Sequence, residues 1–251
     1  MSSVFDPPTI PPTAQSDLLL GATPAPSPTQ EQARDQVEVP AVRESLLSAF
    51  ATPVSNFKWP DSDELNTELK AYILELEQRS QGVIKSNIGG WHSHDDLFQH
   101  DHDAIAALRE RVCAYLESLS STIAEPTQGN QQIQYGVDAW ANILRNGEYN
   151  SLHSHPNAFW SGVYYVTGNT KPADDNQFSG RLELLDPRPG ASLSYPLRTR
   201  LYGRFLVDPT PGQMVVFPGW LQHQVHPYFG NEQRISIAFN MMIRTPSNSP
   251  A

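Results

Sequence analysis

Two histidines one residue apart, His153 and His155, stand in the stretch "YNSLHSHPNAFWSGVYYV". In an extended segment, residues i and i+2 point to the same side. Both imidazoles can then be presented to one metal ion. A third ligand has to come from a distant strand, and His223, just after "GQMVVFPGWLQ", is the natural candidate. Farther on comes Arg234-x-Ser236 in "QRISIAFN". A single histidine is most often a surface or hydrogen-bonded group, and a His-x-His pair alone is weak support for a metal. The ordered set His153, His155, His223, Arg234 and Ser236 is far harder to obtain by chance.

These residues need a scaffold. After Pro126 the sequence turns to short β-branched or aromatic runs broken by Gly, Pro, Asn and Asp: "QQIQYGVDAWANILR", "SGVYYVTG", "GRLELLDP", "GRFLVDP", "GQMVVFPG" and "QRISIAFNMMI". This spacing predicts an antiparallel sandwich or jelly roll over residues 131–244. Upstream, Leu65, Leu69, Tyr72, Ile73 and Leu76 share one helical face, which predicts an amphipathic helix over 61–79 with Asp and Ser as cap candidates. Ile105, Leu108, Val112, Leu116 and Leu119 predict a second helix over 101–124. Helices of this kind can brace one sheet of a mainly β domain. Residues 1–45 are rich in Pro, Ser, Thr, Gln and Ala and read as a disordered or extended segment. One domain over 46–245 and a tail over 246–251 complete the expected plan.

The net charge is −10, with few charged residues, which argues against a nucleic-acid or anionic-membrane surface. One cysteine, Cys113, rules out an internal disulfide. No apolar run reaches membrane-spanning length, and the N-terminus lacks the features of a secretory signal. A soluble, cytoplasmic protein acting on a small molecule is the expectation, with a protein substrate left open and the oligomeric state unreadable.

From about Leu46 to Ile243 the chain resembles the 2-oxoglutarate- and Fe(II)-dependent oxygenases of the double-stranded β-helix (jelly-roll, cupin-like) fold. The stretches that carry the likeness are "SNIGGWHS", "WANILRNGEYNSLHSHPNAFWSGVYYV", "LELLDPR", "PGQMVVFPGWLQHQVHP" and "RISIAFN". Their order is similar to that of prolyl-hydroxylase-like enzymes. The resemblance implies that His153 and His223 are iron ligands and that Arg234 pairs with the far carboxylate of 2-oxoglutarate. A guanidinium fork suits a carboxylate because it donates two parallel hydrogen bonds. Ser236 shares that strand face and could add a hydroxyl, and Asn142 and Tyr149 are candidates to reach the same co-substrate. The implied reaction uses Fe(II), 2-oxoglutarate and O2, with ascorbate as a stimulant. It converts 2-oxoglutarate to succinate and CO2 while oxidising an unactivated C–H bond of a substrate such as an amino acid or natural-product intermediate.

The sequence departs from the family at His155, where the usual site carries Asp or Glu. Three arrangements are open: His155 ligates, His155 swings away, or a carboxylate from elsewhere, Asp186 or Asp138, completes the set. "GGWHSHDDLF" reads as a pocket wall in which Trp91, His92 and Ser93 supply stacking and polar groups. His94 reads with that wall, His100 and His102 as a solvated helix start, and His226 as lying outside the ligand set. Tyr164, Tyr165 and Trp160 read as sheet core. Arg181, Arg188 and Arg198 read as surface charges. Two other readings stay open: a cupin-like three-His dioxygenase that uses no 2-oxoglutarate, and a non-catalytic jelly-roll binding module.

Overall fold

The computed structural model describes residues 50–123, 134–169, 176–189 and 203–244. Contacts divide the chain into two units, 1–50 and 51–251, and the second holds every described strand and helix. The segments 1–45 and 246–251, and Arg198, lie outside the described residues.

Eleven described strands alternate between two antiparallel sheets. The larger has the order β1 (Ser55–Lys58), β9 (Gln213–Pro218), β6 (Trp160–Tyr165), β11 (Arg234–Arg244), β4 (Gln134–Leu144) and β3 (Trp91–His92). The smaller has the order β2 (Asn87–Ile88), β5 (Tyr149–His153), β10 (His223–Val225), β7 (Leu182–Leu185) and β8 (Arg204–Val207). The mainly β, antiparallel architecture agrees with the sequence reading.

Helices α1 (Asp63–Arg79) and α2 (Asp103–Ile123) cover the outer face of the larger sheet. Leu65, Leu69 and Ile73 of α1 are buried, as are Ile105, Leu108, Val112 and Leu116 of α2. They pack with Ala139, Ala141, Ile143, Ile235, Ile237 and Phe239 of the central strands. Ser62 occupies the cap position of α1, but its hydroxyl donates to the Trp59 carbonyl, so it does not cap the helix by its side chain.

The period of two along a strand then decides what is left for the inside. With Ile235, Ile237 and Phe239 turned to the helices, Arg234, Ser236 and Ala238 face the cleft between the sheets. A second apolar cluster includes Leu182, Leu184, Val207, Val215 and Phe217, of which Leu182 and Phe217 line that cleft.

Candidate active site

The triad is assembled by strand pairing. On β5 and β10, His153 and His223 are direct register partners, and their ring centroids are 4.3 Å apart. His155 lies just past the end of β5, in a turn whose backbone is clamped: its N–H donates to the Gly219 carbonyl at 2.7 Å. The ligand atoms of His153, His155 and His223 all lie within 4.8 Å of one another. Among the described residues no other cluster of this kind forms.

Two of the three rings are oriented from behind. His153 Nδ1 lies 2.7 Å from the Ser151 carbonyl, and His223 Nδ1 lies 2.9 Å from the Leu221 carbonyl. A carbonyl only accepts, so each Nδ1 carries the proton and each Nε2 keeps its lone pair free. A hydrogen bond of this type fixes ring orientation and raises basicity at a metal-ligating histidine. No such hydrogen bond holds the His155 ring among the described residues, though it packs 5.7 Å from Trp140.

Burial pushes all three imidazoles toward the neutral form that binds metal. His223 is pushed down to about 3, by burial first and by the neighbouring His153 second. His155 is pushed down to about 4 by the same two causes. His153 is lowered by burial. A depressed folded-state value means that the unfolded chain binds more protons below its ordinary value of about 6.5. Stability is therefore full above that pH and is lost as pH falls toward 4. The metal-free protein should show a lower urea midpoint at pH 5 than at pH 7. His223 alone accounts for about 2 kcal/mol between pH 6.5 and 5, and His223→Leu should flatten the profile.

The triad opens on an inner chamber of about 60 Å³, whose lining includes Asn142, Asn150, Tyr165, Arg234 and Ser236. Register explains their convergence. Ser236 on β11 is flanked by Asn142 on β4 and Tyr165 on β6, and Asn142 is flanked in turn by His92 on β3. One polar row thus crosses four strands on a single face. Arg234 is 1% exposed. Its Nε donates to the Gly180 carbonyl at 2.9 Å, its Nη1 lies 3.5 Å from Ser236 Oγ, and its guanidinium sits 5.3 Å from the Tyr165 ring centroid. No ion pair to Arg234 forms among the described residues. Burial pushes the Tyr165 phenol up to about 12, so it stays a neutral donor. The Asn142 side-chain oxygen is buried without a hydrogen-bond partner among the described residues.

A wider outer chamber of about 520 Å³ shares Ser86, Trp140, His153 and His155 with the inner one, and adds Lys85, His92, Asp95, Ser151 and Asn240. His92 stacks on Trp140 with centroids 5.5 Å apart and planes 10° apart.

Several sequence expectations need correction. Tyr149 does not line either chamber, and its neighbour Asn150 lines the inner one. The cause is an irregularity of the β5–β10 register between His223 and Val225, which turns Asn150 inward along with His153. Of Trp91, His92 and Ser93 only His92 faces a chamber, joined there by Asp95 of the same stretch. Trp91 belongs to the helix-side core and donates to the Ser80 carbonyl at 2.9 Å. Ser93 bonds backbone groups of His94 and Ala141, tying its loop to β4. Asp138 is exposed, and Asp186 is paired with Arg188, so neither joins the triad. Tyr164, Tyr165 and Trp160 are core as read, and Tyr165, buried in the second apolar cluster, also lines the inner chamber. His100 and His102 both meet Tyr72, by a hydrogen bond of 2.8 Å and by stacking at 4.1 Å, and so tie the two helices together. His226 bonds Glu183 at 2.7 Å, away from the triad.

The turn that carries His155 depends on a close approach at Gly219. A β-carbon there would overlap the Ala158 carbonyl. Gly219→Ala should destabilise the protein by about 1–3 kcal/mol through overpacking. It should also weaken metal binding by displacing His155, as read by urea unfolding beside a Ni(II) titration.

Residues 138–240 match the family described as "Putative 2OG-Fe(II) oxygenase". No curated protein matches the chain in sequence. A Pseudomonas putida prolyl-4-hydroxylase structure is 14% identical, covers 78% of this chain and 95% of its own, and has a TM-score of 0.57. The α-ketoglutarate-dependent carbocyclase SnoK of nogalamycin biosynthesis is 11% identical, covers 79% of this chain and 85% of its own, and has a TM-score of 0.54. HygX from Streptomyces hygroscopicus, solved with nickel and 2-oxoglutarate, is 13% identical, covers 78% of this chain and 84% of its own, and has a TM-score of 0.50. At these identities the likeness speaks to the fold, which is thereby the double-stranded β-helix. The stretch that this family's model matches, residues 138–240, is the one that carries the triad and the buried arginine.

Proposed function

We propose that the chain is a non-haem Fe(II)- and 2-oxoglutarate-dependent oxygenase that oxidises a C–H bond of a small molecule held in the outer chamber. The observation that carries this reading is Arg234: a fully buried guanidinium with no carboxylate partner among the described residues, in the same chamber as three converging imidazoles. A buried charge left unpaired is costly, and a ligand carboxylate would offset that cost. The unpartnered Asn142 oxygen marks a second polar group with room for a ligand.

In this reading His153, His155 and His223 hold the iron, and Arg234, with Ser236 and Asn142 beside it, holds the far carboxylate of 2-oxoglutarate. When bound, the iron and co-substrate supply O2 activation coupled to decarboxylation of 2-oxoglutarate to succinate. The chain's own work is positional. Nδ1 hydrogen bonds aim two imidazoles, the apolar walls Val163 and Phe217 restrict water, and Trp140 with His92 forms a flat wall facing the substrate space. The outer chamber has the volume of a small-molecule site.

The test is succinate production from 2-oxoglutarate by the purified chain with Fe(II), O2 and ascorbate. Measurable succinate, removed by EDTA, is the expected result. Metal binding without any 2-oxoglutarate binding would instead favour a three-His dioxygenase of the cupin kind, for which the donor set alone would suffice.

A further inference from the structure

The charges that surround the triad go beyond ligand identity. Among the described residues, the inner chamber is lined by three imidazoles, one guanidinium and neutral groups, with no Asp or Glu. The acidic group that His155 feels is Asp95, which stands exposed in the outer chamber, 3.5 Å from Lys85. A divalent ion at the triad thus brings two positive charges into a chamber that already holds the charge of Arg234, and no anion of the described residues lines it to offset them. Like charges in a poorly solvated space raise one another's energy far more than in water. An aspartate at position 155 would remove one unit of that excess, whereas the imidazole removes none.

We infer, resting on the oxygenase reading, that His155 makes this centre bind a divalent metal and a dianionic 2-oxo acid as a mutually dependent pair. The metal is held weakly until the dianion arrives, and the dianion is held weakly until the metal is present. Reciprocity follows from linkage: whatever factor one ligand adds to the other's affinity is returned equally. The centre is thereby selective for a doubly charged co-substrate, and His155 is the residue that sets the selectivity.

Chelation alone gives some coupling in any variant, so the informative quantity is how the coupling changes with the charge at position 155. Ni(II) would be titrated calorimetrically into the full chain with and without saturating 2-oxoglutarate, for the wild type, His155→Asp and His155→Asn, each checked for folding by circular dichroism. His155→Glu supplies the same charge if the aspartate variant does not fold. In the wild type, 2-oxoglutarate should raise Ni(II) affinity on the order of 100-fold. In His155→Asp, Ni(II) alone should bind about tenfold tighter than in the wild type, and the coupling should shrink by a similar factor. His155→Asn should keep the wild-type coupling, because it changes shape without adding charge. Equal coupling in the aspartate variant and the wild type would overturn the inference while leaving the oxygenase reading intact. Absence of Ni(II) binding to the wild type would overturn that reading, and this inference with it.

Discussion

Arg234→Met is expected to lower 2-oxoglutarate affinity by about two to three orders of magnitude while leaving the stability of the metal-free protein within about 2 kcal/mol of the wild type. The two effects have different origins. Removing one partner of a buried charge pair costs about 3–5 kcal/mol, and in the liganded protein Arg234 is the protein's partner in that pair. In the free protein the guanidinium is fully buried, with the Gly180 carbonyl and Ser236 hydroxyl to bond. Replacing buried ionic groups by apolar ones is often neutral or stabilising. That gain is offset by the Gly180 carbonyl losing its donor, at about 1–3 kcal/mol. Calorimetric titration of 2-oxoglutarate in the presence of Ni(II), beside urea unfolding, reads both. Arg234→Lys should fall between, because a point charge cannot donate the paired hydrogen bonds of a guanidinium fork. Unchanged 2-oxoglutarate affinity in Arg234→Met would remove the main support for 2-oxoglutarate as co-substrate.

What could be read from the sequence was whatever depends on local periodicity. The helical faces of Leu65–Ile73 and Ile105–Leu116, and the alternation that turns Ile235 and Ile237 outward and Arg234 and Ser236 inward, are short-range patterns, and the structure follows them. Pairing of strands far apart in sequence is not local. The two-residue strands β2 and β3 exist only because β5 and β4 lie beside them, so "SNIGGWHS" reads as loop until its partners are known. The same holds for Tyr149 and Asn150. Alternation from His153 gives Ser151 and Tyr149 the ligand's face, and only the irregular register against β10 brings Asn150 in instead. Of Trp140 and Tyr165, only the first had a local signal. Trp140 lies two residues from Asn142, a position read as reaching the co-substrate, whereas Tyr165 is brought to the cleft by its pairing with Ser236. The aromatic character of Tyr165 made core the ordinary reading, and its place in both the second apolar cluster and the chamber lining shows that one ring can serve both.

The three histidines should not be equivalent under substitution, and their order tests how the centre is built. His223→Ala is expected to lower Ni(II) affinity by more than about 100-fold and to abolish 2-oxoglutarate-dependent succinate formation. Groups that merely orient a metal-bound histidine already contribute about 10- to 100-fold, so losing the ligand must cost more. His223 is the most buried of the three, lies 4.8 Å from the Phe217 ring, and is aimed by the Leu221 carbonyl. No water can readily replace its nitrogen there. His153→Ala should come close, because its ring is aimed in the same way by Ser151. His155→Ala should cost less. Its ring is held by packing against Trp140 rather than by a hydrogen bond, and it sits past the strand end beside the open outer chamber, where water can take up the vacated position. The free protein adds an independent reading of the same geometry. His223→Ala should show a smaller loss of stability between pH 7 and pH 5 than the wild type, because one of the three imidazoles that resist protonation is gone while His153 and His155 remain. Equal losses of Ni(II) affinity in all three alanine variants would show that the three rings are held with equal rigidity. The ranking expected from their hydrogen bonds would then be wrong, even though the set of ligands stood.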